Sequence, residues 1–135
     1  MIFFKIGCYV LIITCLLHLV GHFQGAMPAD ETEKQMLDLM TNYQVKVGSG
    51  AVTMMGIYKG FSLTFSLLFL WTGVFSLFLV KQLGDNVALM RKIAIINTGA
   101  LAILTGISLY YFFFIPTTCI VLALIFFVLA VIRIK

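Results

Sequence analysis

Long intervals without a charged residue dominate the pattern of hydrophobic and polar positions along the chain. Residues 6–29, between Lys5 and Asp30, form an uncharged run of 24 positions, and residues 60–80, between Lys59 and Lys81, form one of 21. A helix needs about 20 mostly apolar residues to cross a hydrocarbon core of ~30 Å. Each interval therefore predicts one transmembrane helix.

The third uncharged interval is twice as long. It covers residues 93–132, which is 40 positions, and contains Pro116 near its middle. Proline lacks a backbone donor and biases the preceding residue away from the helical region, so Ile115-Pro116 can close one helix while Pro116 occupies the first turn of the next. The interval therefore predicts two helices joined by a tight turn.

These intervals predict an all-α integral membrane protein with a single four-helix transmembrane domain over residues 1–135. The expected spans are 4–25, 52–80, 89–113 and 116–133. An extracytoplasmic segment, 26–51, lies between the first two. A signal peptide is the alternative interpretation of the first span, because Lys5 precedes an apolar run; we expect the span to be retained, since no clear small-x-small cleavage site follows.

The segment 26–51 has the periodicity of an amphipathic helix. Asp30 and Glu33 have the spacing of a capping box. The apolar positions that follow recur with helical spacing, and they are Met36, Leu39, Met40, Tyr43 and Val47. We expect a helix over 30–46 on the membrane surface, ended by Gly48-Ser49-Gly50. It would either shield the end of the bundle or act as a lid over a site.

Composition and charge support the membrane assignment and add an orientation. The chain is 62% hydrophobic and 10% charged, whereas soluble domains carry about 25% charged residues.

Six of the nine basic residues share one side of the predicted topology, and they are Lys5, Lys81, Arg91, Lys92, Arg133 and Lys135. The positive-inside rule then places both termini in the cytoplasm, as in a bacterial inner membrane. We attribute the net charge of +4 to topology and to attraction for anionic membrane lipid rather than to nucleic-acid binding.

Small residues recur along the predicted spans, and in lipid such residues let helix backbones approach closely. The candidate packing positions are Gly21, Gly25, Gly56, Gly60, Ser62, Ser66, Gly73, Gly99, Ala102 and Gly106. They are more numerous than one bundle needs if each helix also faces lipid. The leading interpretation is therefore a non-catalytic membrane subunit or binding protein that packs with itself, as a homo-oligomer, or with a larger membrane complex.

The first span carries the candidate metal chemistry, because ionisable residues within a membrane are costly and suggest function. His18 and His22 are one helical turn apart, Cys15 lies on the same stripe, and Cys119 belongs at a similar depth on the fourth span. Imidazole with thiolate suits Cu or Zn. The alternative is that the histidines only form hydrogen bonds to neighbouring helices. We do not expect a bis-histidine haem, because both histidines lie on one face of one helix.

A transporter or enzyme for a lipophilic substrate is the third interpretation. Such sites are mostly apolar with a few placed polar groups, and the candidates are Tyr58, Asn97, Ser108 and Tyr110. We expect Asn97 and Ser108 to form hydrogen bonds across helices. No carboxylate lies within the spans, which argues against a carboxylate proton relay or a cation antiporter. No catalytic residues are assigned, and an enzyme is the less favoured class.

Overall fold

In the computed structural model, residues 1–25 and 27–134 are described; Ala26 and Lys135, which belong to the predicted extracytoplasmic segment and to the predicted basic terminus, lie outside the described residues. The described chain forms five helices and one hairpin. The elements are α1 (Ile2–Gln24), α2 (Glu31–Asn42), β1 (Gln44–Val47), β2 (Gly50–Thr53), α3 (Met54–Leu83), α4 (Val87–Tyr111) and α5 (Phe114–Arg133). We call the end of the molecule that carries α2, β1 and β2 the hairpin end.

Four of the helices are long and apolar enough to cross a membrane, and they are α1, α3, α4 and α5. The membrane assignment and the four predicted spans are thereby supported, with boundaries shifted by a few residues. Pro116 is the third residue of α5, in the first turn, where the missing N–H has no helical partner to lose. Helix α3, at 30 residues, is about 45 Å long and exceeds the hydrocarbon thickness, which explains how Lys59 lies within a transmembrane helix.

The extensive contacts between the four long helices follow the order α3, α1, α5, α4. Helix α1 contacts both α3 and α5, α5 also contacts α4, and α3 and α4 contact each other little although only three residues join them. The main apolar core lies where α1 meets α5. There the rings of Phe4 and Phe127 meet edge to face with centroids 5.1 Å apart, and both residues are fully buried.

Helix α3 packs on α1 through small residues. Its buried positions are Ser62, Ser66, Gly73, Ser76 and Val80. A Cβ placed on Gly73 would lie 2.7 Å from Ile12 Cγ1 and 2.9 Å from the carbonyl oxygen of Cys8. Only glycine permits this approach of the two backbones, because those distances are shorter than van der Waals contact.

The segment after α1 differs from the prediction of a helix over 30–46. Asp30 does cap α2, its side chain accepting a hydrogen bond of 2.8 Å from the backbone N–H of Glu33. However, α2 ends at Asn42, and the residues that follow form an antiparallel hairpin in which Val45 pairs with Val52 and Val47 with Gly50. The predicted continuation of this helix from residue 43 to residue 46 is therefore wrong.

The physical reason lies in residues 44–53. β-Branched side chains pack well on a pleated surface, and valine alternates with other residues at positions 45 and 47 of β1. Gly48 adopts φ +60° at the first position of the two-residue turn, as a II′ hairpin turn requires. Gly48 and Ser49 thus reverse the chain instead of ending a helix. That α2 lies on the membrane surface stays a prediction.

Candidate functional site

The polar centre of the molecule is a cluster of His18, His22 and Ser62 between α1 and α3. His18 Nε2 lies 2.9 Å from Ser62 Oγ, and His22 Nδ1 lies 3.0 Å from the same oxygen. Both imidazoles are half-buried, and Ser62 is buried. Two ring nitrogens from successive turns of one helix therefore converge on a single hydroxyl of the neighbouring helix.

Helical spacing explains how the histidines reach this interface. The face of α1 that packs inside the protein carries Phe4, Cys8, Leu11 and Cys15, at alternating steps of four and three residues. His18 and His22 continue those steps, so they occupy the same stripe toward the hairpin end. Ser62 begins the equivalent buried stripe on α3. The cluster is therefore the polar continuation of an otherwise apolar and thiol-lined seam.

The hydrogen-bonding capacities of the three side chains limit the roles around Ser62. A hydroxyl supplies one donor and two acceptor sites, and a neutral imidazole supplies one donor and one acceptor. When Ser62 donates to one imidazole, the other must donate to Ser62 to keep both contacts. The two neutral rings are then in opposite roles. In the ring that accepts from Ser62, the nitrogen that faces away is a donor, and in the ring that donates to Ser62, the nitrogen that faces away is an acceptor.

The predicted cysteine ligands do not join the histidines. Among the described residues, no group of three or more His, Cys, Asp and Glu side chains is arranged to hold a metal ion. Cys15 is 1% exposed and faces the helix interface one turn below His18, whereas Cys119 is half-buried on α5. The structure thus brings together His18 and His22, with Ser62 rather than a thiol as their shared neighbour.

The predicted substrate contacts are dispersed. Ser108 is fully buried, and its Oγ lies 2.8 Å from Thr117 Oγ1 on α5. Asn97 donates to the carbonyl oxygen of Ile93 in its own helix, although we expected it to bond across helices. Tyr58 and Tyr110 are 62% and 81% exposed. Two surface depressions of the described chain lie elsewhere, one on α2 and one beside Arg91 on α4.

The candidate packing residues divide into two sets. Ser62, Ser66 and Gly73 are buried against α1. The others that we singled out are exposed on the surface of the single chain, and they are Gly21, Gly25, Gly56, Gly60, Gly99, Ala102 and Gly106. Sequence reasoning missed Gly7, where a Cβ would lie 2.8 Å from Phe127 Cε2. Its place on the buried stripe of α1, one residue before Cys8, was the available signal.

Comparison with known proteins adds no family to this description. No protein-family model, no curated protein and no solved structure matches the chain.

Proposed function

We propose that the protein is a small non-catalytic membrane subunit that associates with another membrane helix through the outward face of α4. The first candidate for this partner helix is α4 of a second copy of the chain. The observation that carries this proposal is the position of Gly99 and Gly106. Helix α4 packs mainly on α5, and its buried residues are Met90, Ala94, Leu101 and Ser108. At 100° per residue, Gly99 and Gly106 lie on the opposite face of the helix.

Glycine on that face makes no close packing contact with the part of the chain that the structure describes. A Cβ at Gly99 or Gly106 would have no neighbouring atom within 4 Å, and glycine lowers helix stability by about 1 kcal/mol relative to alanine. Helices in lipid associate by close packing, which small residues permit. Because α5 is the main packing partner of α4 and the contact with α3 is small, the outward face of α4 is open to a partner helix.

We further propose that both termini are cytoplasmic and that the protein belongs to a bacterial inner membrane. The basic residues near the end opposite the hairpin support this orientation. The hairpin end instead carries a net acidic group of Asp30, Glu31, Glu33 and Asp38 beside Lys34, Lys46 and Lys59. Labelling of a cysteine added after Lys135, in a background where the native cysteines are replaced, tests it. Labelling by an impermeant reagent from outside the cell would overturn the orientation.

The association is tested by the mass of the purified protein in mild detergent and by inter-chain energy transfer in liposomes. We expect a dimer or larger species for the wild-type chain and a shift toward the monomer for Gly99→Leu with Gly106→Leu, because leucine blocks close approach of the backbones. Ala100→Leu is the matched control: it adds bulk at an exposed position of α4 about 100° away around the helix. A strictly monomeric wild-type particle that copurifies with no other protein would contradict the proposal.

A further inference from the structure

The His18, His22 and Ser62 cluster is built on α1 and α3, away from the face of α4 proposed for association. Its defining feature is that two imidazole nitrogens face one point, which Ser62 Oγ occupies. We propose that His18 and His22 form a two-nitrogen site for Cu(I), in which the metal ion replaces the Ser62 hydroxyl as their shared partner.

The spacing of the two nitrogens suits such an ion. His18 Nε2 and His22 Nδ1 lie 2.9 Å and 3.0 Å from Ser62 Oγ, so they cannot be farther apart than the sum of those distances, 5.9 Å. A linear nitrogen–metal–nitrogen unit with bonds of about 2 Å spans roughly 4 Å. The nitrogen separation therefore exceeds that span by at most about 2 Å, and we infer that rotation of the two rings closes the difference.

The protonation states that metal binding requires are those of neutral side chains. A metal binds the unprotonated nitrogen of a neutral imidazole. His18 must then carry its proton on Nδ1 and His22 on Nε2, and Ser62 keeps its own. No side chain has to become an anion, so the occupied site carries the single positive charge of Cu(I).

The choice of Cu(I) over Zn(II) follows from charge and coordination number. Within the described residues no carboxylate or thiolate joins the two histidines, so a divalent ion would keep its full charge. The Born cost of removing an ion from water rises with the square of its charge, so it is about four times larger for a divalent than for a monovalent ion of equal size. Zn(II) also takes four ligands, whereas Cu(I) accepts two and binds imidazole.

An entry route for a soft metal ion leads to the cluster from the hairpin end. His22 is two residues from Gln24, the last residue of α1, so the cluster is near the hairpin end of the helix. Met55 precedes Ser62 by seven residues on α3, which places it on the same face two turns nearer that end. A thioether is a soft ligand that suits transient contact with Cu(I).

The test measures binding of Cu(I), under anaerobic reducing conditions, and of Ag(I) as a redox-inert probe to the full chain in detergent. We expect one equivalent per chain in competition with a chromophoric Cu(I) chelator, and an X-ray absorption spectrum with nitrogen and no sulfur scatterers. Zn(II) should compete poorly. Absence of stoichiometric Cu(I) and Ag(I) binding, preference for Zn(II), or sulfur in the coordination shell would each overturn the proposal.

Two pairs of variants separate the site from a structural contact. His18→Gln and His22→Asn keep an amide nitrogen near the position of each ring nitrogen, so they can preserve the hydrogen bond to Ser62 while removing the metal ligand. We expect folded protein that loses stoichiometric binding. Ser62→Ala, and Cys15→Ala with Cys119→Ala, should each retain it. Binding that survives both histidine variants, or that is lost in Ser62→Ala or in the cysteine variant, would overturn the assigned ligands.

Discussion

The ring of Phe127 covers the backbone of Gly7, so that a Cβ on Gly7 would lie 2.8 Å from Phe127 Cε2 and 2.9 Å from Cδ2. The same ring meets Phe4 edge to face. These contacts join the start of α1 to the second half of α5 and form the centre of the apolar core. Because lipid is as apolar as this core, the contacts stabilise the fold through close packing rather than through removal of apolar surface from water.

Phe127→Ala should therefore destabilise the protein mainly by the cavity that it leaves. Substitution of a buried phenylalanine by alanine in a soluble core costs about 3–5 kcal/mol, and we expect a value at or below the low end here because the water-transfer contribution is small. Reversible unfolding in mixed detergent measures it. Phe113→Ala, at a position that is 70% exposed, is the control and should change the free energy of unfolding far less; equal losses would show that Phe127 is not a packing centre.

Gly73→Ala should be destabilising although alanine is the better helix former. The added methyl group would collide with Ile12 and with the backbone of Cys8, and overpacking of this kind costs about 1–3 kcal/mol. Gly60→Ala, on the same helix with no atom within 4 Å of its Cβ, should be neutral or stabilising by up to about 1 kcal/mol. Thermal unfolding of both variants compares them, and a gain of stability in Gly73→Ala would contradict the α1–α3 packing.

Ser108 and Thr117 should be energetically coupled across α4 and α5. Their hydroxyl oxygens lie 2.8 Å apart, and Thr117 also approaches the carbonyl oxygen of Ser108 at 3.2 Å. A double-mutant cycle of Ser108→Ala and Thr117→Val should give a coupling free energy of about 0.6 kcal/mol, with an upper bound near 1.7 kcal/mol. Thr118→Val is the control, because Thr118 bonds to Phe114 in its own helix and should show no coupling to Ser108.

Gly48→Ala should loosen the hairpin without disturbing the transmembrane helices. Gly48 has φ +60°, and an L-residue with a Cβ pays about 1–2 kcal/mol in that region. Hydrogen exchange should become faster at the backbone amides of β1 and β2 and stay unchanged in α1 and α5. Ser49→Ala, at the adjacent turn position without positive φ, is the matched control; identical exchange in the two variants would contradict the turn.

Asp30→Ala should fray the start of α2. Asp30 accepts from the backbone of Glu33. Glu33 Oε2 accepts in turn from the backbone N–H of Ala29 at 2.6 Å, one residue before the N-cap rather than from the N–H of Asp30 that a capping box uses. Loss of an N-cap costs about 0.5–2 kcal/mol of helix stability. Faster amide exchange in the first turn of α2 measures it. Asp38→Ala removes a carboxylate of the same charge from the middle of α2, so faster exchange in that variant alone would contradict the capping role.

The sequence by itself determined the four apolar helices, the turn before Pro116 and the cap at Asp30. These features are local: an uncharged run of sufficient length must satisfy its own backbone in lipid, and an N-cap bond joins residues only three positions apart. The sequence also placed His18 and His22 on one stripe of α1, because helical periodicity fixes which residues share a face. The hairpin was missed because Tyr43 and Val47 happen to continue a helical spacing that the β-branched residues and Gly48 override.

Only the tertiary structure decided the order α3, α1, α5, α4 and therefore which partner each face meets. In lipid the inward and outward faces of a helix are both apolar, so hydrophobic patterning does not show which small residues are covered. Gly73 and Gly7 are packed, whereas Gly99 and Gly106 are open. For the same reason Asn97 bonds within its own helix, and Ser62, which was selected only as a packing residue, is the shared partner of both histidines. Neither outcome is encoded in spacing, since each depends on the helix that lies opposite.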